Sequence, residues 1–161
     1  MKSTRIHHVS ILVSDMERAA AWYSSRLGLR EIVRPSNFIT PVRWFELGDQ
    51  QVHLIPSEVA DAVSPRHFAI EVENCEEAKE TLRSRGIEIR ETVPIAGAER
   101  FFIADPDGNN LEIIQWLRTW DDTSEAELGV PDNGERVMLT DEWRRSRQER
   151  ELPASLPTRG G

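Results

Sequence analysis

Cysteine is nearly missing from this chain: Cys75 is the only one among 161 residues. An internal disulfide is excluded, and a reducing compartment is the expected setting. Long apolar runs are missing as well. No stretch is suited to crossing a bilayer, and the start, MKSTRIHHVSILVSD, lacks the unbroken apolar core of a signal peptide. Basic charge is scarce, with 20 Lys and Arg against 28 Asp and Glu. No basic run or basic-aromatic face occurs, which argues against a nucleic-acid partner. These absences lead us to expect a soluble, cytoplasmic protein.

A hydrophobic content of 39 % suffices for one core and leaves room for a polar appendage. Residues 6–13 (IHHVSILV) alternate and read as a strand. Asp15 is a plausible N-cap for a helix over 16–27, which Gly28 stops. Strands follow at 29–33 and 42–47, and a hairpin across Gly48-Asp49-Gln50 leads into 51–55. The pattern then starts again. A strand over 67–72 precedes a helix over 76–84, capped by Asn74 and ended by Gly86; strands follow at 87–92, 101–104 and 111–115. The last two are joined by Asp105-Pro106-Asp107-Gly108, whose Pro and Gly carry turn chemistry. One βαβββ unit cannot cover its own sheet face, so two units are expected to share a core. The fold class expected is α+β, two modules (about 5–56 and 65–116) forming one curved mixed sheet.

The register of this repeat points to a site. His8 and His67 are separated by 59 residues, and so are Asp15 and Asn74, Ala19 and Ala78, and His53 and Glu112. Four side chains able to bind a metal thus occupy two pairs of equivalent positions. Glu112 stands in an apolar run, where an unpaired carboxylate is costly; it faces water or has a cationic partner, and a metal is one such partner. A three-residue hairpin loop would set Phe45 opposite His53 and Arg43 opposite Ile55, turning Arg43 toward the same cavity and Trp44 toward the helix side. Arg43, Phe45 and Arg100 are therefore candidates for holding substrate. His7 has the opposite parity and reads as structural or solvated. Cys75 opens a helix and reads as buried and inert.

The motifs HVSILVSD with the following helix and LGL, GDQQVHLI, RHFAIEV and FFIADPDGNNLEI resemble the vicinal oxygen chelate superfamily. That superfamily includes glyoxalase I, bleomycin and fosfomycin resistance proteins, methylmalonyl-CoA epimerase and extradiol dioxygenases. The resemblance spans about residues 5–116 and implies an open barrel-like cup around one divalent metal (Fe, Ni, Zn, Mn or Co). It implies His8, His53, His67 and Glu112 as the ligands and Glu112 as the base of a glyoxalase I-like lyase or isomerase. The metal would act as a Lewis acid on a small oxygen-rich substrate. At the place of His53, glyoxalase I-like members commonly carry Glu and epimerases carry Gln. An iron(II) dioxygenase, a fosfomycin-type thiol transferase and a drug-binding resistance protein remain open alternatives.

Residues 117–161 have no counterpart in the minimal domain of that superfamily. Within them, 140–151 (TDEWRRSRQERE) reads as a short capped helix with Trp143 as its one large anchor. Docking of Trp143 on a homodimer partner is the expectation for this segment, because an isolated helix of that length does not hold in water.

Overall fold

Alternation decides the first strand. In β1 (His8–Val13), Ile11 and Val13 turn into the core while His8 and Ser10 stay exposed. Asp15 then caps helix α1 (Met16–Ala21), its carboxylate accepting from the Arg18 backbone N–H at 3.0 Å. The helix continues as a π-helical turn, Trp22–Leu27, and closes on Gly28 at φ 92°. In the second module Asn74 caps α2 (Cys75–Ser84) by accepting from Glu76 and Glu77. α2 is α-helical throughout, and Gly86 follows it at φ 74°. The π-helical turn takes up the single residue by which the first capped segment exceeds the second.

The computed structural model describes residues 1–59, 62, 64–93, 95 and 97–117. The tail helix expected at 140–151 lies outside them. The remaining strands are β2 (Arg30–Ile32), β3 (Arg43–Leu47), β4 (Gln50–Pro56), β5 (His67–Glu71), β6 (Arg90–Glu91), β7 (Ala98–Ala104) and β8 (Asn110–Trp116). They form two mixed sheets in the orders β1-β4-β3-β2 and β5-β8-β7-β6. β1 runs parallel to β4 and β5 parallel to β8, so each module repeats the other strand for strand. The α+β class and the two βαβββ modules expected from the sequence are present, the strands hydrogen-bonding as two sheets of four, one per module.

The helix-side faces of both sheets share one apolar core. Ile11, Val13, Phe45, Val52 and Leu54 of the first module join Ile70, Phe101, Ile103, Leu111 and Ile113 of the second. Burying each such side chain contributes about 1.5–3 kcal/mol. Two polar ties hold the modules in register. The Arg26 guanidinium donates to the carbonyls of Arg85 and Gly86, and Arg85 donates back to those of Arg26 and Leu27. The residues of this reciprocal pair are themselves 59 apart, like the repeat.

The second tie explains the Asp105-Pro106-Asp107-Gly108 turn. Asp105 is buried and accepts from the backbone N–H groups of Asp107 and Asn109, each at 2.9 Å. Its other oxygen accepts from the Tyr23 hydroxyl at 3.1 Å, across the module boundary. Burial, reinforced by the Asp105 charge, raises the Tyr23 phenol far above its ordinary value, so it stays a donor. Asn109 donates to the Leu12 carbonyl, while Ser14 and Arg18 both donate to Asp107.

The hairpin between β3 and β4 differs from the sequence expectation by one residue. Leu47 pairs with Gln50, leaving a two-residue turn of Gly48 and Asp49 in which Gly48 adopts φ 58°. A glycine at the first turn position with positive φ suits the tight turns that match strand twist. Such a one-residue slip moves every side chain of β3 to the other face.

Candidate functional site

Each module presents a pair of donors built the same way. In the first, Ser10 of the edge strand β1 pairs with His53 of β4, which sets His8 diagonally beside His53. In the second, Ala69 of β5 pairs with Glu112 of β8, which sets His67 diagonally beside Glu112. The inner donors, His53 and Glu112, are 8 % and 7 % exposed, whereas the edge-strand imidazoles are open to solvent. The separation of 59 residues seen in the sequence therefore reflects equivalent register positions.

The first half-site is a stack of rings. His53 lies parallel to Trp44 with centroids 4.3 Å apart, and His8 covers its other face at 4.2 Å. Phe38 meets Trp44 edge-on at 5.8 Å. The His53 Nε2 is 2.8 Å from the Gln51 side-chain oxygen. Burial lowers the His53 pKa to about 4, and the nearby His8 and His7 add to the effect. His53 is thus neutral at pH 7. His7 does contact the site, its Nδ1 lying 3.0 Å from that of His8.

The second half-site is a chain of charge. The Glu112 Oε2 is 3.2 Å from the His67 Nε2, and its Oε1 accepts from the Arg100 Nη1 at 2.8 Å. Arg100 also donates through Nε and Nη2 to the Val93 carbonyl. Phe102, opposite Glu112 in the ladder, meets His67 edge-on at 5.1 Å and lies under the Arg100 guanidinium at 5.7 Å. The His67 Nδ1 is 2.8 Å from the Pro65 carbonyl. A carbonyl only accepts, so Nδ1 carries the proton and Nε2 is directed at Glu112. Two acceptors face one another there unless a proton or a cation stands between them. That arrangement, an imidazole oriented by a carbonyl and aimed at a carboxylate oxygen, fits a metal-ligand pair.

The two half-sites remain apart within one chain. Among the described residues, no group of three or more His, Cys, Asp or Glu side chains is placed to hold a metal. Two of the three candidate substrate residues are also elsewhere. Phe45 pairs with Val52 and is fully buried in the core against Tyr23, at 5.9 Å between rings. Arg43 pairs with Leu54 and forms ion pairs with Glu17 of α1 and Glu31 of β2. Both follow from the two-residue turn, which puts Trp44 in the place expected for Phe45. Arg100 stands at the site, held on Glu112. Cys75 is buried, as expected, and donates to the Glu99 carbonyl. Trp44, Phe102 and Gln51 were not foreseen from the sequence; the shared parity of Gln51 with His53 was the available signal.

The profile of the Glyoxalase/Bleomycin resistance protein/Dioxygenase superfamily matches residues 5–113. The chain is similar to the uncharacterized protein YwkD of Bacillus subtilis (strain 168), at 30 % identity over 122 residues covering 68 % of this chain and 95 % of that protein. It is 25 % identical over 126 residues to a lactoylglutathione lyase of Salmonella typhimurium, covering 69 % of this chain and 92 % of the lyase. A solved structure from Bacillus anthracis assigned to the glyoxalase family superposes with a TM-score of 0.67 at 27 % identity, over 72 % of this chain and 98 % of that one. By repeat, register and profile together, the chain belongs to the Glyoxalase/Bleomycin resistance protein/Dioxygenase superfamily.

Proposed function

We propose that the protein is a metal-dependent lyase or isomerase of the glyoxalase type, acting on a small oxygen-rich substrate. The observation that carries this reading is the pairing of donors at equivalent register positions of two repeated modules. His8 and His53 would hold one side of a divalent ion, and His67 and Glu112 the other. Since the half-sites do not meet within one chain, the reading assigns their joining to a homodimer. Three imidazoles and one carboxylate suit Fe, Ni, Zn, Mn or Co. Bound there, such an ion supplies Lewis acidity to a carbonyl or an oxyanion.

The chain's own residues do the rest. Glu112, whose Oε2 lies beside His67, would serve as a ligand and, in exchange with the ion, as the base that takes a proton next to a carbonyl and returns it. Arg100 occupies the other oxygen and fixes the carboxylate plane. Trp44 and Phe102 flank the donors and keep water from one side of each pair. Elemental analysis and light scattering on protein purified without chelator test this reading, with lactoylglutathione formation as the first activity to assay. Near-stoichiometric divalent metal in a dimer is expected. Protein that stays metal-free after reconstitution overturns it.

A further inference from the structure

The residue two before the one that faces the inner donor differs between the modules, and the difference follows that donor. In the second module, Phe102 stands opposite Glu112, and two residues back along β7 is Arg100. In the first, Trp44 stands opposite His53, and two residues back, just before β3 begins, is Val42, a buried apolar side chain. A guanidinium is thus present where the inner donor is a carboxylate and absent where it is an imidazole. The Arg100 side chain is 17 % exposed and that of Glu112 9 %, so the pair is largely out of water. Three of its donor atoms are committed: Nη1 to Glu112, and Nε and Nη2 to the Val93 carbonyl. That anchoring fixes where the guanidinium stands.

We infer that Arg100 is a positioning residue for the metal centre: by holding Oε1 of Glu112, it leaves Oε2, on the His67 side, as the only carboxylate oxygen offered to the ion. The inference rests on the metal reading above and assigns Arg100 a place behind the ligand, in contrast to the substrate contact expected from the sequence. Its chemistry is that of an oriented carboxylate, in which one oxygen is tied by a charge-assisted bond and the other is presented singly. Lysine can pair with Oε1 but cannot also span to Val93 with two further N–H groups. Arg100→Lys should therefore keep part of the effect, and Arg100→Met none of it.

The test uses Co²⁺, whose visible spectrum reports the number and arrangement of its ligands. Metal-stripped full-length wild type, Arg100→Lys and Arg100→Met are titrated with Co²⁺, after circular dichroism shows each variant folded. Wild type should bind with one defined spectrum. Arg100→Met should bind about 10-fold more weakly or worse, in line with lost ligand support, and with an altered spectrum as both oxygens become available. Arg100→Lys should lie between them in affinity and keep the wild-type spectrum. If wild type binds Co²⁺ and Arg100→Met matches it in both affinity and spectrum, the positioning role is overturned while the metal reading stands. If Arg100→Lys behaves like Arg100→Met in both, the single tie to Oε1 is not what matters, which also overturns it. If wild type itself takes up no Co²⁺, the metal reading fails and this inference with it.

Discussion

The two half-sites are the same backbone carrying opposite electrostatics. β1 and β4 offer His8 and His53 in a stack of flat neutral rings, whereas β5 and β8 offer His67 and Glu112 in a row that Arg100 completes. The repeat sets where the donors stand, and the donor's charge goes with what surrounds it. A buried imidazole is accommodated by aromatic faces and loses its proton affinity. A buried carboxylate needs a cation, and among the described residues Arg100 supplies one. On the proposed reading, the module with the charge moves the proton and the other holds the ion without adding charge.

Substitution at the inner donors separates these roles most strongly. Glu112→Gln keeps the volume and an oxygen but removes the charge, and turnover should fall by about 10²–10⁴-fold, as for a lost acid–base group. His53→Gln exchanges one neutral donor for another and should cost much less. Equal losses in the two variants, measured as kcat on the identified substrate, would break the comparison. Near-native turnover in Glu112→Gln would remove the proton-transfer role.

Acid should act chiefly through the first module. Folding lowers the His53 pKa from its ordinary 6.5 to about 4. The unfolded chain takes up that proton first, so the contribution is complete above about pH 6.5 and is lost as pH falls toward 4. The loss is about 3 kcal/mol at most, from the size of the shift. Urea melts of metal-stripped protein between pH 7 and 4 should show this slope, and His53→Gln should flatten it. A wild-type slope that survives His53→Gln would place the acid sensitivity elsewhere.

Metal should stabilise by bridging both half-sites. An ion present at about 100-fold over its Kd adds roughly 2.7 kcal/mol. For a domain of this size that corresponds to a Tm change on the order of 5–15 °C, read by calorimetry before and after chelation. A smaller effect is expected at the tie between the modules. Tyr23→Phe removes one donor from the buried Asp105, which retains its partners in the turn, and should cost roughly 1–2 kcal/mol. A neutral result in denaturant melts would mean that the apolar core alone holds the modules in register.

Most of this architecture was legible in the sequence because it is written twice. Caps at Asp15 and Asn74, stops at Gly28 and Gly86, and donors at a constant separation mark both modules. The π-helical turn left its own trace, since Gly28 and Gly86 are one residue closer in the repeat than the capping residues are. What could not be read was the β3–β4 turn. Gly48-Asp49-Gln50 accommodates a two- or a three-residue loop, and parity converts that small ambiguity into a reversal of Arg43, Trp44 and Phe45. The Arg100–Glu112 pair was hidden for a related reason. A diagonal contact across a hairpin depends on the register of both strands, and the five-residue Asp105–Asn109 connection does not announce it. The separation of the half-sites within one chain is a matter of how two sheets pack, for which the pattern of a single strand carries no signal.

The central claim is that one ion needs both modules, and titration of Co²⁺ into metal-stripped protein with substitutions on either side tests it most directly. His8→Ala in the first module and His67→Ala in the second should each weaken binding strongly, from a wild type that takes up one ion per chain. Wild-type affinity in His8→Ala, with binding lost only in His67→Ala, would put the ion on the second module alone and contradict the account.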